Sequence, residues 1–205
     1  MSGRIVAPPH WNARSTRNPG SLRKARSQHI ARALVLAALC VLSVCGCVHS
    51  SMKPITPVPE VVLPRFMGDW YVIASIPSFV ERNAYDAVES YAMRPDGRIQ
   101  TTFRYRNNSF DAPLKTMRPV GTVKPGTGNA VWGMQFIWPI KAQYIVAYLD
   151  PGYTETIIAR DARDYAWIMA RTPQISDEAY AADVARLEQM GYDTSKLRRV
   201  PQQPR

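Results

Sequence analysis

Histidine and cysteine are scarce in this 205-residue chain, and both types occur only near its N-terminus. The six residues concerned are His10, His29, Cys40, Cys45, Cys47 and His49. The long remainder, residues 50–205, therefore has no internal disulfide, histidine general base, cysteine nucleophile or zinc site with nitrogen or sulfur ligands. No metal ion or cofactor is predicted for it.

Acidic residues are missing from residues 1–46, which carry seven lysines and arginines. The whole chain has 26 basic and 16 acidic residues, so residues 47–205 keep 19 basic and all 16 acidic ones. The net charge of +10 is thus mainly a property of the N-terminal segment. This distribution predicts no nucleic-acid partner for the rest of the chain.

The chain also has no apolar run that comfortably spans a bilayer as a permanent helix. The uncharged run at 33–44 is short, follows a basic stretch and leads into Val44-Cys45-Gly46-Cys47. This end resembles a bacterial lipobox, a signal in which the cysteine is acylated and the preceding peptide is removed. We predict a lipoprotein signal peptide with a long basic n-region over residues 1–46, and a lipid anchor on Cys47. A plain secretory signal or an uncut membrane anchor is the alternative.

Residues 47–64 are predicted to form a lipidated tether. They contain Pro54, Pro57, Pro59 and Pro64, which favour extended backbone. Residue 48 is valine, whereas an aspartate there resembles an inner-membrane retention signal. The predicted location is therefore the outer membrane, with a lipid anchor and the following domain facing the periplasm.

From residue 68 onward, apolar and polar residues alternate in short runs that are typical of β-strands. Turn signals separate the runs, and the clearest is Pro95-Asp96-Gly97. About eight strands are predicted, with connections too short to contain helices. One helix follows, which Ser176 is suited to cap and Gly191 to end. The predicted fold class is all-β, an eight-stranded up-and-down antiparallel barrel with one C-terminal α-helix, over residues 65–205.

Three positions resemble the motifs of the lipocalin family. Gly68-x-Trp70 is similar to the first motif, at the first predicted strand. Residues 142–150 lie where the second motif is found, with the usual Thr-Asp-Tyr changed to Ala-Gln-Tyr, and Arg171 matches the third. The stretch 165–178 resembles the bacterial outer-membrane branch, whose animal relative is apolipoprotein D. The resemblance implies a lipocalin barrel in which Arg171 packs across Trp70 and closes the floor, so Gly68, Trp70 and Arg171 are interpreted as structural residues.

The most apolar alternating faces of the predicted barrel are also rich in aromatic residues. Together with the resemblance, they predict the ligand-binding side chains Trp132, Met134, Phe136, Tyr144, Val146 and Tyr148. The predicted ligand is a fatty acid, a lysophospholipid or a similar small hydrophobic molecule that the protein stores or transports. It is expected to bind tail first, with its head near the open end.

Two other functions are left open. A filled barrel would fit a purely structural envelope lipoprotein, and a few lipocalin relatives are enzymes, which leaves a lipid-modifying enzyme as the less favoured alternative. No paired-acid pattern is visible, and Asp86, Glu89 and Glu155 are interpreted as strand-surface charge. The chain is therefore predicted not to be an enzyme. The sequence does not decide whether it forms a homodimer.

Overall fold

The computed structural model describes residues 52–79 and 81–203. The predicted signal peptide and Cys47 lie outside these residues. The elements in chain order are α1 (Leu63–Phe66), β1 (Gly68–Ile76), β2 (Ala84–Met93), β3 (Ile99–Asn107), β4 (Lys115–Met117), β5 (Val120–Val123), β6 (Val131–Ile137), β7 (Ile140–Leu149), β8 (Glu155–Ala159), β9 (Ala166–Ala170), α2 (Asp177–Gln189), a short 3₁₀ helix (Thr194–Lys196) and β10 (Arg198–Arg199).

The strands form one antiparallel sheet that closes on itself, because β1 pairs with both β2 and β9. Strands β4 and β5 both pair with β3 and are separated by Arg118 and Pro119. Proline has no amide hydrogen to donate to a neighbouring strand, which accounts for the interruption. With β4 and β5 counted as one interrupted strand, the predicted eight-stranded up-and-down barrel is confirmed. Strand β10 adds a two-residue pairing to β1.

Successive strands run in opposite directions, so their connections collect at two ends of the barrel. The closed end contains α1 and the connections β2–β3, β5–β6 and β7–β8. The open end contains the connections β1–β2, β3–β4, β6–β7 and β8–β9. Helix α1 brings Phe66 into the interior at the closed end, where this side chain is fully buried.

Two apolar layers stabilise this arrangement. The inner layer fills the closed-end part of the barrel and includes Phe66, Trp70 and Trp132. The outer layer covers the outside of β1, β7, β8 and β9, where it includes Leu187 of α2. The predicted cap of α2 is present, since the Ala179 amide donates to Ser176 Oγ at 3.1 Å. Within the described part of the chain, no helix combines the length and apolarity needed to cross a membrane.

An irregularity in β1 changes which residues face the barrel interior. The register of β1 against β9 shifts between Val72 and Ala74. Trp70 and Val72 belong to the inner layer, whereas Ala74 and Ile76 belong to the outer one. Strict alternation from Trp70 predicts one shared face for these four residues. The bulge is the physical reason that this prediction fails beyond Val72.

Residues 53–62, which form part of the predicted tether, lie along the barrel wall. Ile55 and Val61 are buried. The Ile55 amide donates to Asp161 Oδ1 at 2.7 Å near the open end, and the Val61 amide donates to the Gly128 carbonyl at 2.7 Å near the closed end. Backbone amides that lie between the prolines thus donate hydrogen bonds to the barrel. The described chain enters the domain at its open end.

Candidate ligand-binding cavity

The floor of the barrel is sealed by Arg171, which follows β9. Its guanidinium lies 3.9 Å from the centre of the Trp70 ring, a favourable cation–π geometry. Gly68 has a φ of +95°, and a Cβ atom there would lie 3.4 Å from Arg171 Nη1. The guanidinium also donates to backbone carbonyls at 2.7–3.3 Å, those of Arg65, Phe66, Met67, Asp69 and Tyr153. Gly68, Trp70 and Arg171 therefore come together at the closed end, away from any ligand space.

Aromatic rings fill the interior above this floor. Trp132 and Tyr144 stack with their ring centres 4.8 Å apart. Phe66 and Tyr91 meet Trp132 edge-on, with centre distances of 5.5 and 5.6 Å. The hydroxyls of Tyr91 and Tyr144 are hydrogen-bonded at 2.6 Å. This part of the interior is packed core, and any ligand space must lie nearer the open end.

A cavity of about 270 Å³ lies between this aromatic layer and the open end. Its wall is mostly apolar and comes from several strands and connections. The lining residues are Ser78, Glu81, Glu89, Met117, Met134, Phe136, Ala142, Gln143, Tyr144, Arg160, Tyr165 and Trp167. Burying an alkyl chain here would be favourable by about 0.8 kcal/mol per CH₂. Methionine side chains in the wall can adapt to chains of irregular shape.

Five of the six predicted ligand-binding residues face the barrel interior or its opening. Met134, Phe136 and Tyr144 line the cavity, with Phe136 half-exposed at its edge. Trp132 and Val146 are fully buried in the inner layer beneath the cavity and do not line it. These two side chains support the cavity from below.

Tyr148 lies on the outside of β7, which corrects its prediction as a cavity residue. The register of β7 against β8 shifts between Val146 and Tyr148, so alternation from Tyr144 no longer holds beyond Val146. Tyr148 packs on the outer layer, and the Arg186 guanidinium of α2 lies 3.9 Å from its ring centre. Its role is therefore in docking the helix.

Two carboxyl groups in the cavity wall, those of Glu81 and Glu89, are absent from the predicted site. Glu89 lies in β2 and shares an alternating face with the buried residues Ala87 and Tyr91. That shared face is the sequence signal for an inward position, and it corrects the interpretation of Glu89 as surface charge. Asp86, also interpreted as surface charge, is buried beside a register shift in β2.

Burial raises the pKa of Glu89 from its ordinary value of 4.5 to about 7. A hydrogen bond from the Tyr91 hydroxyl opposes this rise, and the nearby Glu81 carboxylate adds to it. Burial also raises the pKa of Glu81, although the Ser78 amide donates to its carboxylate. Within residues 52–79 and 81–203, neither carboxylate forms an ion pair, and no group of three or more His, Cys, Asp or Glu side chains is arranged to hold a metal ion.

Arg160 contributes the positive charge in the cavity wall. It begins the β8–β9 connection at the open end. Its Nη1 donates to Asp164 Oδ2 at 3.0 Å, and its guanidinium lies 5.0 Å from the Tyr165 ring centre. The Arg160 charge is therefore already paired within its own connection.

Large apolar side chains are exposed around the open end. We call this set the apolar rim, and it consists of Phe79, Leu114, Ile137, Trp138 and Ile140. At the tip of the β6–β7 hairpin, Ile137, Trp138 and Ile140 are 74%, 83% and 71% exposed. A cluster of this kind is typical of a surface that contacts another apolar phase.

Residues 61–202 match a family model described as a lipocalin-like domain. The chain is 34% identical over 146 residues to temperature-induced lipocalin-1 of Arabidopsis thaliana, a match that covers 67% of this chain and 77% of that protein. It is 31% identical over 170 residues to the outer membrane lipoprotein Blc of Escherichia coli (strain K12), covering 80% of this chain and 93% of that protein.

Solved structures share the fold at lower identity. Insecticyanin from the tobacco hornworm Manduca sexta has a TM-score of 0.58 and 16% identity, covering 74% of this chain and 86% of its own. The cockroach allergen Per a 4 has a TM-score of 0.57 and 18% identity, covering 75% of this chain and 96% of its own. At these identities the likeness establishes the closed antiparallel barrel alone.

Proposed function

The chain belongs to the lipocalin-like family, and on that premise we propose that it is a lipid-binding outer-membrane lipoprotein. It stores or transports a single-chain lipid, such as a fatty acid or a lysophospholipid, in its barrel. The observation that carries the proposal is the mostly apolar cavity of about 270 Å³ above the aromatic layer. A structural lipoprotein with a filled barrel would have no such space.

The proposed membrane anchor is a lipid on Cys47. The Escherichia coli relative is named as an outer membrane lipoprotein, and its match covers 80% of this chain. Residues 48–205 are less than 80% of the chain. A match that covers 80% of the chain must therefore extend to Cys47. The described chain begins at the open end of the barrel, where the Ile55 amide donates to Asp161. We place the barrel on the periplasmic side.

The apolar rim supports exchange of lipid with a membrane. It lies at the same end as the cavity and as the start of the described chain. Trp138 combines an apolar body with a polar N–H, which suits a membrane interface. Arg82, Lys115 and Lys141 follow rim residues closely in the chain and favour anionic head groups. In this proposal a lipid chain passes between bilayer and cavity across the rim.

Catalysis on a lipid is the second candidate function, and the pair of cavity carboxyls is the observation in its favour. A carboxyl group with a raised pKa, such as Glu89, is typical of a general acid. Binding is favoured because the cavity wall has no histidine or cysteine to act beside it. Turnover of a membrane lipid that is lost in Glu89→Gln would support the enzyme instead.

Chain-length dependence tests the proposed function. Isothermal titration of the full chain with straight-chain alcohols from octanol to hexadecanol should give a Kd that falls about fourfold with each added CH₂. The Kd should level off once the cavity is full. An affinity that does not depend on chain length, or no binding throughout the series, would support the filled structural barrel.

A further inference from the structure

The inner end of the cavity presents an incompletely satisfied carboxyl group. Glu89 lies opposite Trp70 of β1 and Phe103 of β3, and neither of these side chains is charged. The Tyr91 hydroxyl donates to Glu89 Oε2, and the same hydroxyl is held by Tyr144. A carboxylate has about four positions that accept hydrogen bonds. Among the described residues, Tyr91 supplies the one side-chain donor to this carboxylate, which lines the cavity.

The charged and titratable groups around this cavity come from four parts of the barrel. They are Glu81 of the β1–β2 connection, Glu89 and Tyr91 of β2, Tyr144 of β7, and Arg160 and Tyr165 of the β8–β9 connection. Arg160 pairs with Asp164, whereas Glu81 and Glu89 form no ion pair within the described residues. Once Glu89 is ionised, the inner end therefore carries a negative charge with which no basic side chain of the described residues forms an ion pair.

We propose, on the basis of the lipid-binding function above, that Glu89 determines ligand specificity. The cavity prefers a single-chain lipid that brings a hydrogen-bond donor, an alcohol or an ammonium group, to its inner end. Such a donor fills the free acceptor positions of Glu89, and an ammonium group adds a charge-assisted bond.

Lipids that bring no hydrogen-bond donor to the inner end do not form this bond with Glu89. A lipid bound tail first sets a methyl group against Glu89 and displaces water without replacing its hydrogen bonds, which is costly for a buried polar group. An ionised fatty-acid head brought to the same place would meet like charge from Glu89 once that group is ionised. The preferred orientation is therefore head first, opposite to the orientation expected from the sequence.

The preference should depend on pH. Since the pKa of Glu89 is about 7, the group is ionised at pH 8 and protonated at pH 5. Raising the pH through this range should strengthen the binding of an ammonium ligand and weaken the binding of a ligand without a donor. Lowering the pH should have the reverse effect.

Four ligands of equal chain length test the proposal: dodecylamine, 1-dodecanol, methyl dodecanoate and dodecanoic acid. Titrations of the full chain at pH 8 should show the amine and the alcohol binding at least about tenfold more tightly than the ester and the acid. At pH 5 the advantage of the amine over the ester should shrink several-fold.

Substitutions test whether the Glu89 side chain causes this preference. Glu89→Gln keeps the shape and should remove the advantage of the amine over the alcohol. Glu89→Leu removes the acceptor and should bring all four ligands close together. Glu60→Gln, on the surface, is the matched control and should leave the order unchanged. Circular dichroism and thermal melting check that each variant folds.

Two results would overturn the proposal. One is equal binding of dodecanoic acid and dodecylamine by the unchanged protein at pH 8. The other is an order of affinities that survives Glu89→Leu or changes with Glu60→Gln. If none of the four ligands binds, the proposed lipid-binding function is wrong, and so is this inference. If the ligands bind without the predicted order, only the role of Glu89 is wrong.

Discussion

Arg171 shows how a single charged side chain can be structural. Its guanidinium covers the Trp70 ring and donates to five backbone carbonyls, so its donors are used within the protein. Glu89 has the opposite character, because it lies in an apolar wall with one side-chain donor among the described residues. The number of hydrogen-bond partners thus distinguishes Arg171, which holds the barrel together, from Glu89, which lines the cavity.

Glu89→Gln should change the pH dependence of stability. The pKa of Glu89 is about 7 in the folded protein and near its ordinary 4.5 in the unfolded chain. The folded state therefore binds this proton more tightly, and its stabilising contribution is lost as the pH rises from about 4.5 through 7. The lost free energy of unfolding is about 3 kcal/mol at most.

Urea unfolding at pH 4.5 and pH 8 measures this effect. Relative to the unchanged protein, Glu89→Gln should have a higher free energy of unfolding at pH 8 than at pH 4.5. The exposed control Glu60→Gln should show no such change. Parallel stability curves for Glu89→Gln and the unchanged protein would mean that the carboxyl group is solvated.

At the scale of elements, the alternation of apolar and polar residues predicts the strands well, but it predicts less well which side chains point into the barrel. The strands beginning near Trp70, the interruption at Pro119 and the helix cap at Ser176 all follow from local chemistry. Tyr148 and Glu89 both lie on the face opposite to the predicted one, for different reasons. The bulge before Tyr148 depends on pairing with β8, which no local pattern reveals, whereas the inward face of Glu89 was visible beside Ala87 and Tyr91.

Helix α2 should contribute to stability without shaping the cavity. Leu187 is fully buried in the outer layer, on the far side of the barrel wall from the ligand space. Leu187→Ala should therefore lower the free energy of unfolding by about 2–5 kcal/mol. Glu188→Ala, at the next and exposed position, should cost far less.

Chemical unfolding together with titration of 1-dodecanol checks both parts of this prediction. The affinity of folded Leu187→Ala for the alcohol should equal that of the unchanged protein. A clear loss of affinity in the folded variant would mean that α2 also shapes the cavity.

For the whole molecule, composition and motifs predict the barrel, the family and a lipid anchor, because each depends on short-range patterns. The cavity volume and the polarity of its inner end depend on which side chains from distant strands meet, and no local pattern contains that information. The course of residues 53–62 along the barrel is another long-range feature, since its amides pair with Asp161 and Gly128.

Cys47→Ser should leave an uncut precursor that is poorly attached to the membrane, because the thiol that accepts the lipid is gone. Fractionation of membranes, followed by intact-mass measurement of the chain, checks both effects. Cys45→Ser is the matched control and should be processed normally. Normal processing and unchanged anchoring of Cys47→Ser would contradict the proposed anchor.

The central claim, that the cavity holds a lipid, is tested most directly by native mass spectrometry of the full chain purified from membranes. Ala142 lines the cavity opposite Met134, so Ala142→Trp should fill the space, whereas Lys141→Trp adds the same ring at the neighbouring exposed position. We expect the unchanged protein and Lys141→Trp to carry a noncovalently bound lipid, and Ala142→Trp to carry none. An unchanged protein without lipid, or a folded Ala142→Trp that retains as much lipid as Lys141→Trp, would contradict the account.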